Sequence, residues 1–147
     1  MKILIDGDAC PSISKIESLG KEYSIEVEIY CDINHYIRSD YAKVIVVDSG
    51  FQSADMFIMN NVKNKDIVIT QDYGVAAICL PKGAKVLSPK GYIYSEDNID
   101  SMLSQRHIHS KLRKAGVRTK GPKKRSIEDE NRLIKNLRVS IEKNLES

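Results

Sequence analysis

The segment KILIDGD at residues 2–8 joins a run of apolar residues to two closely spaced aspartates. Its apolar part is typical of a strand that is buried on both faces of a parallel sheet. The Asp-Gly-Asp that follows is a turn signal, so the strand is predicted to end near Asp6. A carboxylate at the end of a buried strand is costly to desolvate without a partner, which marks Asp6 as a candidate functional residue.

The same order of strand, turn and helix recurs along the chain. The apolar runs 44–47 and 67–70 predict two further strands, and apolar residues at helical spacing predict helices at 53–62 and 75–80. A first helix is predicted at 13–23, because a proline precedes its periodic pattern. Alternating strands and helices imply a parallel sheet with right-handed crossovers, so the sequence predicts one α/β domain.

Two more strands and one long helix are also predicted. Apolar and acidic residues alternate over 25–30, which predicts a half-buried strand at or near a sheet edge, and 84–87 reads as the last strand. A long helix is predicted to begin at Ser95, whose hydroxyl would cap it. The predicted organisation is a domain at 1–114, a basic linker at 115–126 and, at 127–147, an amphipathic helix that docks on the domain or on a partner.

The charges are sorted along the sequence. Residues 1–100 contain 10 lysines and arginines against 15 acidic residues, whereas residues 101–147 contain 13 against 5. An acidic first part followed by a basic tail suggests a metal site beside a surface that binds a polyanion such as nucleic acid. The tail has no aromatic residue for stacking between positions 106 and 125, so phosphate contacts are expected rather than base reading. The candidate nucleic-acid-binding residues are Arg106, Lys111, Arg113, Lys114, Arg118, Lys120, Lys123, Lys124 and Arg125.

Composition excludes several classes of protein. No apolar run approaches the roughly 18 residues of a membrane helix, and a charge follows the start too closely for a signal peptide. The three cysteines lie far apart without a CxxC pair, so neither a disulfide framework nor a zinc site is indicated. The expected location is therefore the cytoplasm, with reduced thiols.

Aspartates follow the predicted strands where ligands bind in open parallel sheets, outside the carboxyl ends. Asp6 and Asp8 follow the first strand, Asp48 and Asp72 follow two others, and Asp55 lies one turn into a helix. Carboxylates gathered at one edge repel one another unless a hard cation such as Mg²⁺ or Mn²⁺ neutralises them. The alternative for each single residue is that it only caps a helix.

Five short strings in this sequence resemble the bacterial YaiI/YqxD family, in the same order and across nearly the whole chain. The resemblance implies a PIN-like three-layer sandwich with a mainly parallel central sheet, and PIN domains are metal-dependent nucleases. On that resemblance Asp6, Asp55 and Asp72 are the metal ligands, Asp8 binds a second ion or orients water, and Thr70 holds either Asp72 or the nucleophilic water. The strings are DGDACP (6–11), GFQSAD (50–55), DIVITQD (66–72), SPKG (88–91) and TKGP (119–122).

Two other functions stay open at this stage. A buried strand ending in Asp-Gly-Asp also resembles the start of haloacid-dehalogenase-type phosphatases, in which Asp6 would be a nucleophile and Thr70 would bind phosphate. The chain lacks their paired acidic residues after a late strand and has no length for a cap domain. A second alternative keeps the fold but leaves a metal- and RNA-binding module without catalysis.

Overall fold

The computed structural model describes residues 1–7, 12–32, 37–47, 53–101, 111, 115–116 and 126–146. These residues contain six strands and five α-helices, and we label the helix whose described part is 96–101 α4. The elements are β1 (Lys2–Asp6), α1 (Ile13–Glu22), β2 (Glu26–Asp32), β3 (Lys43–Val47), α2 (Ala54–Asn61), β4 (Ile67–Ile69), α3 (Tyr73–Cys79), β5 (Lys85–Leu87), β6 (Ile93–Tyr94), α4 (96–101) and α5 (Ile127–Glu146).

The strands form one sheet in the order β3-β2-β1-β4-β5-β6. The first five strands of this order are parallel to their neighbours, and β6 is antiparallel to β5. The chain runs outward from β1 to β2 and β3, then crosses to β4 on the other side of β1. The order therefore reverses between β1 and β4, and a crevice between diverging connections is expected at the carboxyl ends of these two strands.

Helices cover both faces of the sheet. On one face, α1 and α5 pack against side chains such as Ile5 and Ile69. On the other face, α2 and α3 pack against Leu4 and Val68, which alternate with the first set along the same strands. The prediction of an α/β domain with a mainly parallel central sheet between helical layers is confirmed. No helix within the described residues combines the length and apolar character needed to cross a membrane.

Strand β2 corrects the prediction of a half-buried strand. It lies inside the sheet next to β1, and the side chains from Val27 to Cys31 are buried on both faces. Buried Glu28 accepts hydrogen bonds from the Tyr30 hydroxyl (2.6 Å) and from the Lys2 ammonium (3.1 Å). Burial opposes ionisation of Glu28, but these two hydrogen bonds and the lysine charge lower the pKa of its carboxyl. Paired in this way, an acidic residue tolerates an interior position.

The edges of the sheet also differ from expectation. The apolar strand β3 is an edge strand, and its Val46 is exposed. The strand at Lys85–Leu87 is not the last one, because the two-residue β6 follows it and closes the other edge. Two residues are too few for a period-2 pattern to be recognised. Ser95 begins a helix as predicted, with Asn98 N–H donating to its Oγ at 3.2 Å.

The C-terminal helix α5 is part of the core. Leu133, Leu137 and Ile141 are fully buried in the same cluster as the central strands. At its start, the Ser12 hydroxyl donates to Glu130 Oε1 at 3.0 Å, which ties α5 to the beginning of α1. The helix therefore docks on the domain of its own chain.

Polar contacts also hold the middle and the far end of α5. In the middle, the Asn136 amide donates to the carbonyl of Gly91 at 2.7 Å, in the loop between β5 and β6. Near the far end, the Asn144 amide donates to the carbonyl of Lys65 at 2.9 Å. The helix thus runs from the carboxyl edge of the sheet to its amino edge.

Candidate functional site

Asp6 is the last residue of β1 and lies at the crevice where the strand order reverses. It pairs in register with Tyr30 of β2, and strand alternation places it on the face that α2 and α3 cover. The side chain is half-buried. Asp6 therefore lies at the central edge position that its place in the sequence predicts.

Thr70 and Asp72 follow β4, the neighbour of β1. Ile5 pairs with Ile69, so Thr70 stands one position further along, beside Asp6 in the continuing register. Thr70 is fully buried, and its N–H donates to the Leu87 carbonyl at 3.0 Å, which extends the sheet by one residue. The ends of β1 and β4 thus bring Asp6 and the Thr-x-Asp turn to the same edge of the sheet.

The threonine hydroxyl shapes the turn that carries Asp72. Thr70 Oγ1 accepts a hydrogen bond from the Asp72 N–H at 3.1 Å, and Asp72 Oδ1 accepts one from the Gly74 N–H at 2.8 Å. Thr70 therefore supports the backbone of Asp72, and Asp72 caps the start of α3. The capping bond uses Oδ1, and the carboxylate keeps further acceptor sites that a ligand role could use.

Asp55 lies in the first turn of α2, which begins at the carboxyl edge after β3. Its Oδ1 accepts hydrogen bonds from the Ser53 hydroxyl and, at 3.0 Å, from the Met56 N–H. The residue before it, Ala54, packs in the same core cluster as Tyr30 and Val47. Asp55 is therefore on the same side of the sheet as Asp6, and its carboxylate is held at the start of its own helix.

Several of the predicted site residues lie outside the described part of the chain. These include Asp8 and Asp48 of the acidic set and all but one of the basic residues. Lys111, the exception, is an exposed helical residue. The basic residues outside the described ranges are Arg106, Arg113, Lys114, Arg118, Lys120, Lys123, Lys124 and Arg125.

The donor set at this edge consists of carboxylate oxygens, which suits Mg²⁺ or Mn²⁺ better than a soft metal. Within the ranges that the structure describes, no three acidic, histidine or cysteine side chains are close enough to share one ion. Asp55 and Asp72 each use Oδ1 to accept a hydrogen bond from the start of their own helices. An ionised carboxylate has acceptor sites on both oxygens, so these bonds and an ion can be held at the same time.

Sequence reasoning missed one acidic residue at this edge. Asp32 ends β2, and alternation places it on the same face as Tyr30 and Val47. It is half-buried. The alternation of apolar and acidic residues ends at Tyr30, so the local pattern does not mark Asp32. Extending the strand by two residues would have placed Asp32 on the same face as Tyr30.

Sequence reasoning also missed an aromatic pair beside Asp72. The rings of Tyr73 and Tyr94 meet edge to face, with centroids 5.6 Å apart and planes inclined at 71°. Burial, followed by the nearby Tyr73 and Asp72, raises the pKa of the Tyr94 hydroxyl. No local sequence signal reports this pair, because its members come from α3 and β6.

Comparison with known proteins identifies the family. A family profile described as "Uncharacterized BCR, YaiI/YqxD family" matches residues 4–143. A UPF0178 protein of Clostridium perfringens is 57% identical over 143 residues, covering 97% of this chain and 96% of that relative. A UPF0178 protein of Natranaerobius thermophilus is 46% identical over 142 residues, covering 96% and 95%.

Among solved structures, the crystal structure of Rae1 (YacP) from Bacillus subtilis is similar, with a TM-score of 0.46 and 17% identity. The similarity covers 78% of this chain and 81% of that one. The family assignment rests on the profile and on the relatives. The chain belongs to the YaiI/YqxD family.

Proposed function

We propose that this protein is a PIN-like, divalent-metal-dependent nuclease that hydrolyses phosphodiester bonds of RNA or other single-stranded nucleic acid. One observation carries the proposal. The carboxyl ends of β1 and β4 are neighbours at the point where strand order reverses, and they bring Asp6 together with the Thr70-Gln71-Asp72 turn. Ligands of open α/β sheets bind at this position.

The proposed roles follow from residue chemistry and position. Asp6, Asp55 and Asp72 would hold Mg²⁺ or Mn²⁺, which activates water and stabilises charge on the leaving oxygen. Asp8 would orient the attacking water or contribute to a second ion. Thr70 positions Asp72 through the hydrogen bond that its hydroxyl accepts from the Asp72 N–H. These residues supply no histidine or lysine base, so proton removal from water falls to a carboxylate.

A single-turnover assay with labelled single-stranded RNA and Mn²⁺ tests the proposal through Asp72→Asn. We expect the cleavage rate to fall about 100-fold or more, because a metal ligand loses its charge. Asparagine caps helices about as well as aspartate, so α3 should keep its start and the protein its stability. Asp40→Asn, which changes an exposed aspartate ahead of β3, is the matched control and should cleave at the wild-type rate.

The same assay separates the alternative functions. Wild-type protein that binds RNA but cleaves none in any divalent ion would support the binding module. Hydrolysis in isotopically labelled water should place the label in the product phosphate. A phosphatase with a covalent aspartyl-phosphate would also place the label in the phosphate, because water attacks phosphorus in both routes. An acyl-phosphate trapped on Asp6 would therefore be the result that supports the phosphatase.

The basic tail is proposed to hold the phosphate backbone. Replacing Lys123, Lys124 and Arg125 by glutamine should weaken RNA binding and reduce the slope of log affinity against log salt by about 2, at about 0.7 for each lost contact. The measurement is binding by fluorescence anisotropy at several salt concentrations. Loss of three exposed lysines of the first domain should leave the slope unchanged, and equal slopes for both triple variants would refute the role of the tail. The control lysines are Lys21, Lys43 and Lys63.

A further inference from the structure

An aromatic ring stands directly beside the candidate metal ligands. Tyr73 is the residue after Asp72 and the first residue of α3. The residue is half-buried, so part of it is accessible, and its backbone lies at the carboxyl edge of the sheet. A tyrosine at this place is thus within one residue of a proposed ligand and still accessible.

A second tyrosine, Tyr94, contacts the ring of Tyr73. Tyr94, which is only 4% exposed, meets Tyr73 edge to face at 5.6 Å between centroids. Tyr94 itself is held in β6, paired with Val86 of β5. Aromatic pairs of this geometry contribute about 0.5–1.5 kcal/mol beyond area burial, so Tyr94 restrains the motion of its neighbour. Tyr73 is therefore a partly buried aromatic side chain whose orientation the contact with Tyr94 favours.

We propose that Tyr73 stacks against an unpaired base of a single strand bound along this edge of the sheet. This inference rests on the proposed function and deepens it, because it names the residue that contacts a base of the substrate. In a duplex both faces of each base are covered by neighbouring bases, so only an unstacked base offers a face to a tyrosine. The basic tail supplies charge without aromatic residues, and Tyr73 supplies the base contact that the tail lacks.

A purely structural role for Tyr73 makes a different prediction. If the ring only packs against the core cluster of α2 and α3, its replacement changes stability, and any change in affinity is the same with and without bases in the bound strand. If it stacks, the effect of the replacement depends on whether bases are present. The coupling between Tyr73 and the bases of the ligand is thus the discriminating quantity.

The test is a double-mutant cycle measured by anisotropy in the presence of chelator. Wild type and Tyr73→Leu are each titrated with a fluorescent single-stranded RNA and with an abasic strand of equal length. Tyr73→Leu should weaken binding of the normal strand about 5- to 150-fold and leave the abasic strand unaffected within about twofold. Tyr73→Phe, which keeps the ring, should bind like wild type. Tyr23→Leu, which removes a half-buried tyrosine at the C-terminal end of α1, is the matched control and should change neither affinity.

Two outcomes would overturn the inference. The first is equal affinity of the wild-type protein for normal and abasic strands. This comparison uses no variant, so it tests the inference even if Tyr73→Leu folds poorly. The second is an equal loss of affinity for both strands in Tyr73→Leu, which would mean that Tyr73 has a structural role. Binding is measured in chelator and cleavage separately in Mn²⁺, so the two proposals can fail independently. Base-dependent binding without cleavage would support the stacking site and contradict the nuclease. Cleavage without base-dependent binding would support the nuclease and contradict the stacking site.

Discussion

Alanine in place of Gly91 is expected to lower the free energy of unfolding by about 3 kcal/mol or more. Gly91 has φ of +89°, and an added Cβ would lie 2.6 Å from the carbonyl carbon of Arg132 and 2.7 Å from Leu133 Cα. Both atoms belong to the backbone of α5, so relief requires the helix itself to move. The left-handed conformation adds about 1–2 kcal/mol, and overpacking adds about 1–3 kcal/mol.

Gly116→Ala is the matched control for this prediction. Gly116 has φ of +80°, but an added Cβ would meet nothing within 4 Å among the described residues. This variant reports the conformational cost alone, about 1–2 kcal/mol. Chemical denaturation of both variants should therefore show a clearly larger loss for Gly91→Ala. Equal losses would mean that the β5–β6 loop and α5 do not touch as closely as described.

Leu137→Ala should lower the free energy of unfolding by about 2–5 kcal/mol, because it leaves a cavity in the core. Leu137 is fully buried in the cluster that α5 shares with β1, β4 and α1. The measurement is again the midpoint and slope of urea denaturation.

Leu145 provides the same change on the same helix without burial. Its side chain is 56% exposed, so Leu145→Ala should shift stability by no more than about 0.5 kcal/mol. A small effect of Leu137→Ala, similar to that of Leu145→Ala, would indicate that α5 detaches from the domain in solution.

The sequence predicted the strand and helix order because local periodicity and turn residues specify it. It misjudged β2, since the pairing of Glu28 with Lys2 and Tyr30 joins positions on two strands and no local pattern shows it. It also missed β6, whose two residues are held by pairing with β5 rather than by their own propensity. The failures thus lie where tertiary contacts override local preference.

For the candidate site, the sequence predicts the position in the fold but not the contacts of its side chains. The edge occupied by Asp6 and Asp72 follows from strand order alone, because ligands collect outside carboxyl ends. Side-chain direction does not follow from order, and the bonds of Asp72 to Gly74 and of Asp55 to Met56 appear only in three dimensions. Tyr73 escaped notice for the same reason, since its partner Tyr94 is 21 residues away along the chain.

The docking of α5 across the sheet has a consequence for how the protein folds during synthesis. Ser12 meets Glu130, 118 positions later, and the face that holds Ile5 and Ile69 is covered by the last helix. Contacts so distant in sequence close long loops and form late, which slows folding. A nascent chain released only as far as residue 125 lacks α5, so the part of the apolar sheet face that α5 covers beside α1 stays exposed, which makes the chain prone to aggregation. Completion of the core is therefore expected to follow synthesis of α5, so the slowest folding step should coincide with docking of this helix.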